Sequence, residues 1–186
     1  YSYAYKFNIY AEEPLYRANI YVDAATGKII KEQNLICTVD AVGTANTKYS
    51  GTQPITTDSY SGGYRLRETG RGNGIETYNM NNTQTYGTTD FTNTTNTWTI
   101  TTANQAATDA HFGAESTYDY YFQTFNRNSI DDNGYKLLSY VHYSTNYVNA
   151  FWDGTRMTYG DGSTSQGFTI MTALDVCGHE ITHGVV

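Results

Sequence analysis

Two histidines four residues apart, His179 and His183, with Glu180 directly after the first, are the residues of this 186-residue chain best suited by type and spacing to chemistry. On a helix, positions four apart share one face, one turn above the other, so both imidazoles can reach a single ion. Zinc takes imidazole nitrogen at about 2.0–2.1 Å and, in catalytic sites, keeps one position open for water. Glu180 falls beside such an ion rather than among its ligands, where a carboxylate can take a proton from that water. The chemistry implied is metal-assisted amide hydrolysis with Glu180 as general base. The bland alternative is a chance arrangement on a solvated helix face. With only four histidines in the chain, a chance H-E-x-x-H is below roughly one per cent, which favours the ligand reading.

The other titratable candidates read differently. His111, on a helix beside aromatics, and His142, in a Tyr-rich strand, are expected to be packed and hydrogen-bonded, not metal-bound. Asp175 lies four residues before His179, on nearly the same face. By itself it reads as an ordinary acid at a helix start, against the alternatives of a partner to the metal ligands or a ligand to a second cation.

A motif of this kind needs a rigid helix and a scaffold to hold it. The composition, 39% hydrophobic and 16% charged with 19 Tyr, 17 Gly and only 2 Pro, points to strands joined by tight turns. A net charge of -7 with no basic cluster argues against nucleic acid as a partner, and the acidic, Tyr- and Thr-rich composition favours a secreted, extracellular protein. No apolar run is long enough to cross a bilayer and no basic-then-apolar leader opens the chain, so any export signal is expected outside these residues. Cys37 and Cys177 are too few for a framework of several disulfides.

Alternation of apolar and polar residues predicts strands over 3–10 and 16–22, a turn over 23–28 and a third strand from Ile29. Residues 38–50 lose apolar periodicity and read as an exposed junction. Strand character returns over 60–68, 75–80 and 98–101, with polar turns around Asn81 and Asn93. Apolar residues at helical spacing predict a long helix from an N-cap at Thr102 to about Asn126. Strands over 137–143 and 147–152, a hairpin at Asp153-Gly154 and a return strand over 156–159 follow. A last helix from about Thr172 carries one apolar stripe of Ala173, Leu174, Cys177, Ile181 and Val185.

Five segments, DAHFGAESTYDYY from Asp109, VHYS from Val141, NAFWDG from Asn149, YGDG from Tyr159 and DVCGHEITH from Asp175, resemble in order and spacing the thermolysin-like neutral metalloproteases. The resemblance covers most of residues 38–186. It implies an α+β fold: the β-rich N-terminal lobe of such a protease, with one long helix and a truncated zinc-motif helix, preceded by a small β remnant of a propeptide. Three parts are expected: residues 1–40 as the end of the propeptide, 41–171 as the β-rich lobe, and 172–186 as the start of the zinc-binding helix.

By position, the resemblance implies His179 and His183 as zinc ligands, Glu180 as catalytic base and Asp175 as a calcium ligand. Asn149, Ala150, Phe151 and Trp152 would be the edge strand that pairs with an extended peptide substrate, Asn149 and Ala150 lying closest to it. An edge strand suits that task because its free backbone groups bind any extended peptide. Calcium is not expected at residues 94–98, which lack carboxylates. Residues 1–35 are similar to the end of the family's propeptide, so the chain is expected to be a precursor fragment processed within 38–50. Such propeptides act as chaperones and inhibitors, which raises a Cys37 thiolate approaching the zinc, against an incidental thiol.

The family's third zinc ligand and oxyanion residues have no counterpart before the chain ends, so this chain alone is expected to be inactive, and its own propeptide and a C-terminal lobe are expected partners. The last helix is expected to expose its apolar stripe and promote self-association. The alternative function is a non-catalytic peptide-binding or chaperone-like module with a vestigial metal motif.

Overall fold

A computed structural model describes residues 3–11, 16–34, 39–60, 62–99 and 105–186. The chain divides into two compact units, Tyr1–Val39 and Asp40–Val186.

The smaller unit is an antiparallel meander of β1 (Ala4–Ala11), β2 (Tyr16–Asp23) and β3 (Ile29–Asn34), in that order. Its register follows from the alternation. Tyr5, Phe7 and Ile9 lie opposite Val22, Ile20 and Ala18 and share one face. On the other face Asn8 donates to Asn19 (3.1 Å) and Asn19 to Gln33 (3.3 Å). A one-residue slip would exchange these faces, so the pattern fixes the pairing. The expected turn is built by Asp23, whose carboxylate accepts the Ala25 and Thr26 N–H groups at 3.0 and 2.7 Å.

The larger unit begins with β4 (Val39–Asn46), β5 (Thr52–Tyr60), β6 (Gly63–Arg65), β7 (Arg67–Glu68), β8 (Ile75–Asn79), β9 (Thr92–Asn93) and β10 (Thr97–Trp98). The helix α1 (Gln105–Phe125), the strands β11 (Leu137–Val141), β12 (Ala150–Trp152) and β13 (Met157–Tyr159), and the helix α2 (Leu174–Val185) complete it. One sheet has the order β10-β4-β5-β6-β9 and the other β12-β13-β11-β8-β7. In the second sheet β8, β11 and β13 run parallel, and β12 returns antiparallel to form an edge.

Helix α1 packs against β5 of one sheet and β8 and β11 of the other. Ala106, Ala107, Ala110 and Ala114, all 0–2% exposed, let it approach closely, and Trp98, Ile55, Leu66, Ile75 and Leu137 fill the core around it. Each fully buried aliphatic side chain there contributes about 1.5–3 kcal/mol. The fold is therefore α+β and β-rich, with two α-helices among the described residues, as the resemblance implies. No described helix is long and apolar enough to cross a membrane.

Several local expectations are corrected. Part of the expected junction is a strand: Val39–Asn46 form β4, with Gly43 and Ala45 buried, and the division between the two units falls at its start. Gly43 must be small because the chain at Asn96 lies against it. A Cβ on Gly43 would sit 2.1 Å from Asn96 Oδ1, and Thr44 N–H donates to the Asn96 carbonyl at 3.0 Å. Small residues carry no strand signature, which hid the element.

The strand expected over 60–68 is broken at buried Leu66, because β6 and β7 belong to different sheets. The strand from Leu137 stops at Val141, where His142 turns to φ 60°, and the next begins only at Ala150, which leaves Asn149 just before it. The expected turns at Asn81 and Asp153-Gly154 are present. Asp153 accepts the Thr155 and Arg156 N–H groups at 2.9 and 3.0 Å. The Thr102 cap and the Cys37 expectation lie outside the described residues.

Candidate active site

Helix α2 carries the motif, and three contacts fix it. Cys177 and Ile181, 0% and 1% exposed, press into the core. The Tyr121 and Thr182 hydroxyls bond α1 to α2 at 2.9 Å, and Thr182 also donates to the Gly178 carbonyl at 2.7 Å. Near its end a Cβ on Gly184 would lie 3.0 Å from Ile130 and 3.2 Å from Trp152, so a small residue is required where the helix meets these two side chains. Most of the apolar stripe is thus covered by the chain's own core. Only Leu174 stays substantially exposed, at 41%, which corrects the expectation of an open stripe.

On the opposite face His179 and His183 are exposed. Their rings stand perpendicular at 4.6 Å, and their Nε2 atoms are 3.0 Å apart. Two imidazoles on one tetrahedral zinc place their nitrogens about 3.3 Å apart, so the pair needs only a slight side-chain rotation to share an ion. Asp175 lies in the first turn of α2 and His183 in the last. Among the described residues no group of three or more His, Cys, Asp and Glu is arranged to hold a metal. The two histidines fit as part of a zinc site, not the whole of one.

Glu180 is 7% exposed. It lines a cleft of about 490 Å³ with Asn149, Ala150, Met171, Asp175, Val176 and His179. A second hollow beside it, of about 510 Å³, brings His183 together with His179, Asp175 and Thr182. Sequence positions 149–150 and 175–183 therefore converge on one surface. Phe151 and Trp152 do not line the cleft. Phe151 joins Tyr143 (5.4 Å) and Tyr147 (6.2 Å) in an aromatic cluster, and Trp152 packs on Tyr135 (6.3 Å) and on α2 beside Gly184. Met171 and Val176 are cleft residues that sequence reasoning missed, and nothing in their local pattern marked them.

The remaining nucleophile and bases are structural. Burial pushes the Cys177 thiol up to about 12, which keeps it protonated and unsuited to metal or nucleophilic chemistry. Burial pushes His111 down to about 4. Its Nε2 donates to the Thr56 carbonyl at 2.8 Å and Nδ1 bonds Thr77 Oγ1 at 2.9 Å, so it is packed as expected. His142 bonds Asp161 through Nδ1 at 2.6 Å, so it is hydrogen-bonded as expected.

A family model of the thermolysin metallopeptidase catalytic domain matches residues 42–186. The chain is 41% identical to bacillolysin of Brevibacillus brevis over 99% of its own length and 34% of that protein's. It is 34% identical to the extracellular elastase of Staphylococcus epidermidis, covering 98% of this chain and 37% of that protein. Among solved structures it resembles the precursor of protealysin, a metalloproteinase from Serratia proteamaculans, with a TM-score of 0.50 and 35% identity over 60% of this chain and 34% of that one. The chain thus spans about a third of the length of the relatives it matches.

Proposed function

The chain belongs to the thermolysin metallopeptidase family, and from that premise we propose that the full-length protein carrying it is a secreted zinc endopeptidase whose base is Glu180. Zinc follows from the family, and His179 and His183 are the residues of this chain that would hold it. Bound there, zinc supplies positive charge that lowers the pKa of a water toward about 7. As Glu180 takes a proton from water in the cleft, the water oxygen bonds to the peptide carbonyl carbon; the C–N bond then breaks as Glu180 passes that proton to the departing amine nitrogen.

The peptide binds along β12. That strand pairs with β13 on one side only, and its other edge can add an extended chain by backbone hydrogen bonds. Asn149 and Ala150 meet the substrate, while Phe151 and Trp152 support the strand from either face. The observation that carries this reading is the single cleft shared by Asn149, Ala150, His179 and Glu180. Asp175, exposed on the same surface, contributes a hard oxygen ligand for calcium. Secretion is supported by the net charge of -7 and by the extracellular relative. Residues 1–40 are read as the end of a propeptide, which the precursor relative supports, and this chain by itself as inactive.

The test is zinc content and casein cleavage by the full-length protein and its Glu180→Gln variant. The variant should keep its zinc and lose cleavage by about 100-fold or more. Cleavage retained in the variant would remove Glu180 from the role. The competing reading is a non-catalytic peptide-binding or chaperone-like module with a vestigial metal motif. It predicts a full-length protein that binds peptide and contains no zinc.

A further inference from the structure

Two segments of the sequence remain without a role in the reading above: Val141–Ser144 and Tyr159–Gly162. They meet in the structure. Asp161 accepts the His142 Nδ1–H with both carboxylate oxygens, at 2.6 and 2.8 Å, and also accepts Asn82 Nδ2 at 3.0 Å. An ionised carboxylate only accepts, so His142 carries its proton on Nδ1. The His142 side chain is 13% exposed and that of Asp161 28%, so the pair is partly buried.

The pair sits where the backbone most needs support. His142, Ser144 and Asn146 adopt φ of 60°, 56° and 54°, a left-handed conformation that ordinary L-residues disfavour and that persists only when surroundings enforce it. The enforcing contacts come from two sides. Asn82 N–H donates to the His142 carbonyl at 2.9 Å and Ser144 N–H to the Thr83 carbonyl at 2.9 Å, while Asn82 Nδ2 also reaches the Ser144 carbonyl at 3.1 Å. From the other side Gly160 N–H donates to the Asn149 carbonyl at 3.0 Å and Gly162 N–H to the Tyr147 carbonyl at 2.9 Å. The two donors flank Asp161. A Cβ on Gly160 would lie 2.1 Å from the Tyr147 carbonyl oxygen, so glycine is what permits this approach.

We infer that Asp161, through His142 and Asn82, is a positioning residue that locks the loop 142–149 and thereby holds Asn149 and Ala150 in register at the mouth of the cleft. One carboxylate ties the loop's start to the strand exit whose flanking amides hold the loop's end. The inference rests on the reading of β12 as the peptide-binding edge, and it adds a group that touches neither peptide nor metal but sets where the peptide strand lies.

Two measurements test it. Amide hydrogen exchange on this chain reads the lock directly. In Asp161→Ala, exchange over 143–152 should rise about 10-fold or more, while β8 and α1 keep parental protection. Asp161→Asn keeps one acceptor and should recover part of the protection. In the full-length enzyme, Asp161→Ala should raise KM several-fold for an extended peptide with kcat within about two-fold, because strand positioning acts on binding. Unchanged exchange over 143–152, or a rise spread evenly through the larger unit, would overturn the inference, as would a loss confined to kcat. A full-length parent that cleaves no peptide would sink the protease reading instead, and the exchange result would still decide whether Asp161 locks the loop.

Discussion

His111 Nε2 and Glu115 Oε1 face each other at 3.8 Å, one turn apart on α1, both buried, with the Arg71 guanidinium 3.1 Å from the same carboxylate. Burial moves the two groups in opposite senses. It lowers His111 from 6.5 to about 4 and raises Glu115 from 4.5 to about 7 against the pull of Arg71.

The consequence is a compensated pH response. Folded His111 refuses a proton that the unfolded chain accepts, so its stabilising effect is complete above pH 6.5 and is lost as pH falls from 6.5 toward 4. Folded Glu115 holds a proton that the unfolded chain has released, so its effect is complete below pH 4.5 and is lost as pH rises through 7. Between these limits the slopes oppose. Glu115→Gln leaves Arg71 paired with Asp119 at 2.8 and 2.9 Å and removes one slope. The variant should lose on the order of 2–3 kcal/mol more than the parent between pH 6.5 and 4.5, read from urea unfolding at stepped pH. Parallel curves for variant and parent would refute the compensation.

The α1–α2 crossing admits no side chain at Gly113. A Cβ there would lie 2.6 Å from the Cβ and 2.7 Å from the Sγ of Cys177. Alanine favours helix by about 1 kcal/mol over glycine, but overpacking between two rigid helices costs about 1–3 kcal/mol, so the clash decides the sign. Gly113→Ala should lower Tm by several degrees. Adding Cys177→Ala should restore little, because the offending Cβ remains. Full recovery in the double variant would place the strain on sulfur instead.

Asp109 makes a similar long-range tie. It is 2% exposed and accepts the Lys48 and Tyr49 N–H groups at 2.8 and 3.3 Å, while Tyr49 donates to the Ile170 carbonyl at 2.7 Å, next to the cleft residue Met171. Asp109→Ala leaves two backbone donors without their acceptor and should cost about 2–4 kcal/mol in unfolding free energy, with Asp109→Asn costing less. Equal stability of all three proteins would show that water replaces the carboxylate.

What the sequence disclosed depended on range. His179, Glu180 and His183 were legible because a helix converts a spacing of four into a shared face. The β1–β3 meander was legible because alternation and a turn are local. The strand β4 was hidden because Gly43 answers to Asn96, some fifty positions away. Asn149 and Ala150 could be named only through the family resemblance, since nothing about an Asn-Ala pair announces a cleft. The bonds from Asp161 to His142 and from Arg71 to Glu115 join residues 19 and 44 positions apart. No periodicity encodes such pairings, so both were invisible until the chain was folded.

The spacing of the two histidines makes the last prediction. Their Nε2 atoms, 3.0 Å apart, need widen only to about 3.3 Å to accept one tetrahedral zinc. Both side chains are exposed, so neither supports the fold. His179→Ala and His183→Ala should each leave the unfolding free energy within about 0.5 kcal/mol of the parent. Each should weaken zinc binding by this chain about 10-fold or more, since a single imidazole remains on the helix face. Calorimetric titration with zinc, checked by the visible spectrum of the cobalt form, reads the affinity directly. If either variant binds as tightly as the parent, the histidine pair is not where this helix holds its metal.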